Sequence, residues 1–153
     1  MLRYLLVISF VLLSFCSHAQ NNADSLLKKY LVAADCFDRK SYDSAIRFFQ
    51  TAIDFVKKND LDSDFLASRC YYYSGLCFEK KKQPLPAHNN LYKSLELGRR
   101  FHHKAETEDA VTAINQLHWL ITKNDWEFPY TAFSKTIPEN VISQNEKVDS
   151  VFK

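Results

Sequence analysis

The chain has 153 residues, 46% hydrophobic and 25% charged, with a formal net charge of +2. That near balance excludes the electrostatic footprint expected of a nucleic-acid-binding protein. It contains only 2 glycines, too few for the tight turns of sheet hairpins or for a phosphate-cradling loop, so an all-α fold is expected.

Residues 1–19 read as a cleavable export signal. Arg3 supplies the basic start, residues 5–15 the apolar run, and Ser17 with Ala19 the small residues before a cut between Ala19 and Gln20. A bilayer core about 30 Å thick needs about 20 apolar residues in a helix, and this run is about half as long. No later segment is apolar enough to span. In the rival processing, Cys16 becomes an acylated first residue and a lipid anchor, but bulky Phe15 stands where such sites usually carry a small residue. The expected destination is the periplasm or cell envelope of a Gram-negative bacterium, or otherwise secretion. Cys36, Cys70 and Cys77 remain after cleavage, an odd number for an oxidising compartment. Cys70 and Cys77 lie about 10 Å apart along one helix, too far for a mutual bridge. A bridge from Cys36 to either stays open beside the alternative that all three are packing residues.

Apolar residues at three- and four-residue steps predict five helices and a last, more weakly patterned one. The first spans residues 24–39, with Asp24 as N-cap and Leu27, Tyr30, Leu31, Ala34 and Phe37 as its stripe. The second spans 41–58, starting at Ser41 and carrying Ala45, Ile46, Phe49, Ala52, Ile53 and Val56. So short a link makes these two an antiparallel hairpin. After an Asp-rich loop ending in a cap at Asp64 comes a third helix over 65–82, and after Gln83 a fourth, with Pro84 and Pro86 in its first turn, running to 101. It carries Ala87, Leu91, Ser94 and Leu95. The basic runs at Lys80 to Lys82 and at Arg99 with Arg100 fall near helix ends, where cations favour the carbonyl pole. The fifth helix covers 105–123, through Ala110, Ala113, Ile114, Leu117 and Leu120. Beyond Asn124 the pattern weakens, and Val141, Asn145, Val148 and Phe152 form one face of a last helix from residue 139.

The two hairpins carry the same spacing of side chains. Ala33, Cys36, Tyr42, Ala45, Phe49 and Ala52 in the first match Gly75, Phe78, Pro84, Ala87, Leu91 and Ser94 in the second, at a constant offset of 42 residues. Ala33 with Ala45, and Gly75 with Ala87, are small enough to let paired helices cross closely. Phe49 and Leu91 fill the wedge beside each crossing, and Ala52 and Ser94 let the next helix approach.

At these residues the sequence resembles the tetratricopeptide repeat family. The stretch from Lys40 to Ile53, KSYDSAIRFFQTAI, looks like that family's second-helix segment. The usual repeat is about 34 residues long, so this is similar to the longer variant found in kinesin light chains and many bacterial sensors. The resemblance implies a short right-handed α-solenoid of antiparallel helix hairpins, about two and a half repeats plus a C-terminal cap. Residues 20–123 would be the repeat domain and 124–153 a capping or interaction segment. Leu117 and Pro129 depart from the pattern, making the fifth helix a degenerate third unit or cap.

The resemblance also implies a groove that binds a protein or peptide. Its family positions map to Leu27, Tyr30, Ala34, Phe37 and Asp38, then to Arg69, Tyr72, Leu76, Glu79 and Lys80. Tyr71 is expected to pack inside the repeat. Tyr30 and Ala34 stand where the family's clamp for acidic C-termini needs Lys and Asn, which disfavours that partner class. Such a surface, aromatic at its centre and charged at one edge, suits a peptide or helix laid in a groove. Catalytic constellations are missing: no Cys-x-x-Cys, His-Glu-x-x-His or Gly-x-Ser-x-Gly occurs, so neither catalysis nor a cofactor is expected. Two rivals remain. One is a sensor input module acting through residues 141–152. The other is a metal or hydrolytic site using His102, Glu106 and His118, although adjacent His102 and His103 point about 100° apart on a helix. His88 and His118 read as single surface or core-edge histidines.

Overall fold

The computed structural model describes the backbone of residues 2–128 and the side chains of residues 20–128. Among these residues there are five helices and no strand: α1 (Leu2–Asp38), α2 (Tyr42–Lys58), α3 (Phe65–Lys80), α4 (Pro84–Arg100) and α5 (Lys104–Asn124). The expected final helix, with Val141 to Phe152, and Pro129 lie outside the described residues.

Helix α1 begins far upstream of its expected cap, so Asp24 sits in the helix interior and caps nothing. Residues 16–24 contain neither proline nor glycine, and nothing breaks the helix between the apolar run and the packed segment. The inward face is also displaced. Leu26, Tyr30 and Ala33 are buried, whereas Leu27 and Leu31 are 42% and 54% exposed. Helix α2 follows expectation more closely, burying Ala45, Phe49, Ala52, Ile53 and Val56, though Ser41 makes no side-chain capping bond. The Asp64 carboxylate does cap α3, accepting from the Leu66 amide at 2.9 Å. Pro84 opens α4, where its missing N–H would have no helical partner in any case.

Every helix ends the same way, and none of the ends uses glycine. Lys40, Asp60, Lys82, His102 and Asp125 have φ of 60°, 53°, 58°, 59° and 50°. After each, the next amide reaches back across the last turn: Ser41 to the Cys36 carbonyl, Leu61 to Val56, Gln83 to Phe78, His103 to Gly98 and Trp126 to Ile121, at 2.8–3.0 Å. This six-to-one bond defines a Schellman terminus. The bonds at Ser41 and Gln83 are separated by the same 42 residues as the side-chain pattern, as are those at Leu61 and His103. The spacing seen in the sequence is therefore also a spacing of backbone hydrogen bonds. Left-handed φ costs a non-glycine residue about 1 kcal/mol, so Lys82→Gly is expected to raise the unfolding free energy by somewhat under that amount in urea denaturation.

Each helix packs on the next, and α3 additionally lies against both α1 and α5, while no comparable contact joins α2 to α4. Helices α1, α3 and α5 therefore form one layer and α2 and α4 a second. Helix α3 divides the core in two. Ala67, Cys70, Tyr71 and Cys77 join α1 and α2 in one apolar cluster, while Tyr72, Leu76 and Phe78 lie against the cluster of α4 and α5.

The small residues sit at close approaches. A Cβ on Gly75 would lie 2.7 Å from Leu91 Cγ and 3.1 Å from the Ala87 carbonyl oxygen, so this crossing of α3 and α4 requires glycine. Ala33, Ala45, Ala52, Ala87 and Leu91 are likewise fully buried. Ser94, the counterpart of Ala52, makes its hydrogen bonds with the preceding helix: Ser68 Oγ of α3 donates to the Ser94 carbonyl at 3.0 Å and lies 3.0 Å from Ser94 Oγ. A close approach to α5 is made at Gly98, whose Cβ would meet Thr107 Oγ1 at 2.7 Å.

Candidate binding groove

Helices α1 and α3 carry all of the positions expected to line a groove, and they hold them at different depths. Tyr30 is buried, with its ring 6.1 Å from those of Phe49 and Tyr73. Its phenol is pushed up to about 12, chiefly by burial and then by Tyr73, with Arg69 opposing. Phe37 is half-buried between Tyr42 at 6.0 Å and Tyr73 at 5.2 Å. These two aromatics make the floor of the strip.

Tyr73, absent from the expected set, is the hub of that floor. It touches Tyr30, Phe37 and Tyr72, and stacks on Phe49 at 5.9 Å with an interplanar angle of 10°. Three consecutive tyrosines in a helix must diverge around its circumference. As expected, Tyr71 enters the core of α1–α3, being 8% exposed. Tyr72 faces α5, and Tyr73 falls between them toward α1.

Arg69, Tyr72 and Leu76 are half-buried, and Lys80 is exposed. Arg69 Nε donates to Glu106 Oε1 of α5 at 3.2 Å, and its guanidinium lies 5.7 Å from the Phe65 ring centre. Together with Tyr72, Tyr73 and Asp109 this ion pair lines a pit of about 20 Å³. The Tyr72 phenol is held above its ordinary range, first by burial, then by Asp109, Tyr73 and Glu79. At the end of α3, Lys80 Nζ donates to Glu79 Oε1 at 3.1 Å. Glu79 is only 4% exposed, and its Oε2 has no hydrogen-bond partner among the described residues.

The rival metal set is not assembled. Glu106 is committed to Arg69, and among the described residues no group of three or more His, Cys, Asp or Glu side chains is placed to hold a metal ion. His88 and His118 are not single: their rings stack at 5.5 Å with an 8° interplanar angle, and Phe128 lies 5.3 and 6.0 Å from them. They lie 30 residues apart in the sequence, and the packing of α4 on α5 brings them together.

Cys36, Cys70 and Cys77 are all free thiols, so no bridge from Cys36 forms here. Burial pushes the Cys70 and Cys77 thiols up to about 12, and the thiolate is the reactive form. At pH 8, iodoacetamide is expected to modify half-buried Cys36 well before Cys70 or Cys77. Equal rates at all three by peptide mass spectrometry would contradict this packing.

No helix among the described residues is long and apolar enough to cross a membrane. A scan against protein-family models finds no match for this chain, and searches of curated proteins and solved structures find none either.

Proposed function

We propose that this chain is an exported, non-catalytic scaffold of the tetratricopeptide kind, which binds a protein or peptide along the face of α1, α3 and α5. The observation that carries the reading is the side-by-side placement of those three helices. It gathers Tyr30, Phe37, Arg69, Tyr72 and Leu76 into one strip with an aromatic floor and a charged rim. Support for stacked hairpins, two and a half in number, comes from the 42-residue offset shared by side chains and helix-ending hydrogen bonds. The α5 terminus at Asp125 repeats the Lys82 terminus one residue late, which suits a degenerate third unit.

Export through the segment before Gln20 is compatible with this packing. The first buried side chain of α1 among those described is Leu26, which lies downstream of the proposed cut after Ala19. The mature protein is expected to begin at Gln20 and to reside in the cell envelope.

Crosslinking and affinity capture from the native compartment test both parts. A bound protein should be retained by the wild type and lost by Tyr72→Ala, whose circular dichroism should stay helical, and the captured chain should start at Gln20 on N-terminal sequencing. A partner retained equally by Tyr72→Ala would remove the groove from the reading, and an acylated Cys16 would replace release by tethering.

A further inference from the structure

The charges of the groove do not cancel, and what is left over has one sign. Arg69 and Lys80 are its cations, and each is already paired within the chain, with Glu106 and Glu79. On the acidic side Asp38 and Asp109 are exposed and form no ion pair among the described residues. Glu79 keeps a buried oxygen with no hydrogen-bond partner. An acidic ligand would meet cations whose charge Glu106 and Glu79 already offset. A basic ligand meets the exposed carboxylates of Asp38 and Asp109, unpaired among the described residues.

The pit between α3 and α5 narrows the choice of basic group. Its lining alternates aromatic rings and acids, Tyr72 and Tyr73 with Glu106 and Asp109, and its one cation, Arg69, is held by Glu106. Cations are attracted to such ring faces within about 6 Å of the centroid. The space of about 20 Å³ is that of one water molecule, which is also the scale of an ammonium head. A planar guanidinium with its five donors is larger and needs a flatter slot.

We infer that the partner is a basic peptide segment that places a lysine side chain in the pit formed by Arg69, Tyr72, Tyr73, Glu106 and Asp109. The inference rests on the groove reading above and adds the chemistry of the ligand. The lysine stem would run along Tyr72 and Leu76 while its ammonium meets Asp109, the acid of the pit that forms no ion pair among the described residues.

Panning a phage-displayed library of random 12-residue peptides against the purified full-length chain tests it, with clones re-measured as synthetic peptides by fluorescence anisotropy. Enriched peptides are expected to contain lysine, to weaken about tenfold on Asp109→Asn, to weaken similarly when that lysine becomes alanine, and to ignore Asp54→Asn on α2. Acidic or uncharged peptides that still depend on Tyr72 would overturn the lysine assignment and leave the groove standing. Lysine peptides affected equally by Asp54→Asn and Asp109→Asn would also overturn it, as a general charge effect. If no enriched peptide loses affinity on Tyr72→Ala, the groove reading falls and the lysine site with it.

Discussion

Truncating Phe49 to alanine is expected to lower the unfolding free energy by about 3–5 kcal/mol. Phe49 is fully buried and is the largest such side chain among the described residues. Its ring stacks on Tyr73 and tilts against Tyr30, so removing it vacates the space beneath the groove floor and strips two aromatic contacts at once. The neighbours that would have to collapse inward belong to α1 and α3, and both are held elsewhere along their length, which limits relaxation. Phe49→Leu keeps most of the volume and is expected to cost under half as much. Urea denaturation of the two variants checks the ordering. A loss below about 1 kcal/mol for Phe49→Ala would mean that the α1–α3 core is not organised around this residue.

The second large effect is a loss of stability in mild acid. His88 is 2% exposed, and burial first, then the adjacent His118, lowers it from 6.5 to about 4. His118 is lowered as well, by burial. Between about pH 4 and 6.5 the unfolded chain therefore binds more protons at these positions than the folded one. By linkage, stability rises with pH through that window and is lost as pH falls. At pH 5 the His88 contribution corresponds to a loss of about 2 kcal/mol relative to pH 7.5. His88→Phe should remove most of that dependence, because the replacement keeps a ring against His118 and Phe128 but carries no titrating group. Unfolding midpoints at pH 7.5 and 5.0 measure this. An unchanged pH dependence in His88→Phe would place the responsible protons elsewhere.

Helix positions were legible in the sequence wherever a local signal started or stopped them. Asp64, Pro84 and the apolar stripe of α2 all lie where their chemistry put them. The start of α1 was not legible, because a cap such as Asp24 acts only if something ends the preceding helix, and residues 16–24 hold no breaker. Its buried face was displaced by one residue because Leu26 and Leu27 offer equal hydrophobicity, and only the placement of α2 and α3 selects Leu26. The helix ends were hidden for a different reason. Lysine, aspartate and histidine occupy left-handed positions where glycine is the recognisable marker.

On the proposed binding face, Tyr72 and Arg69 were expected from the register of the family resemblance, which gives the direction of a side chain from the helix. Register says nothing of depth. Tyr30 therefore came out buried where Tyr72 is half-buried, and the role of Tyr73 emerged only once α1 and α2 stood beside it. The ion pair between Arg69 and Glu106 joins residues 37 apart. It depends on α5 lying beside α3, which no local pattern encodes. The same holds for the stacked histidines.

The central claim is that ligand lies on the face of α1, α3 and α5, and hydrogen–deuterium exchange of the full-length chain with and without a bound selected peptide tests it most directly. The account predicts added protection in α1 around Tyr30 to Phe37, in α3 from Arg69 to Leu76 and in the first half of α5, with α2 and α4 unchanged. Protection concentrated in α2 and α4, with none along α3, would contradict it.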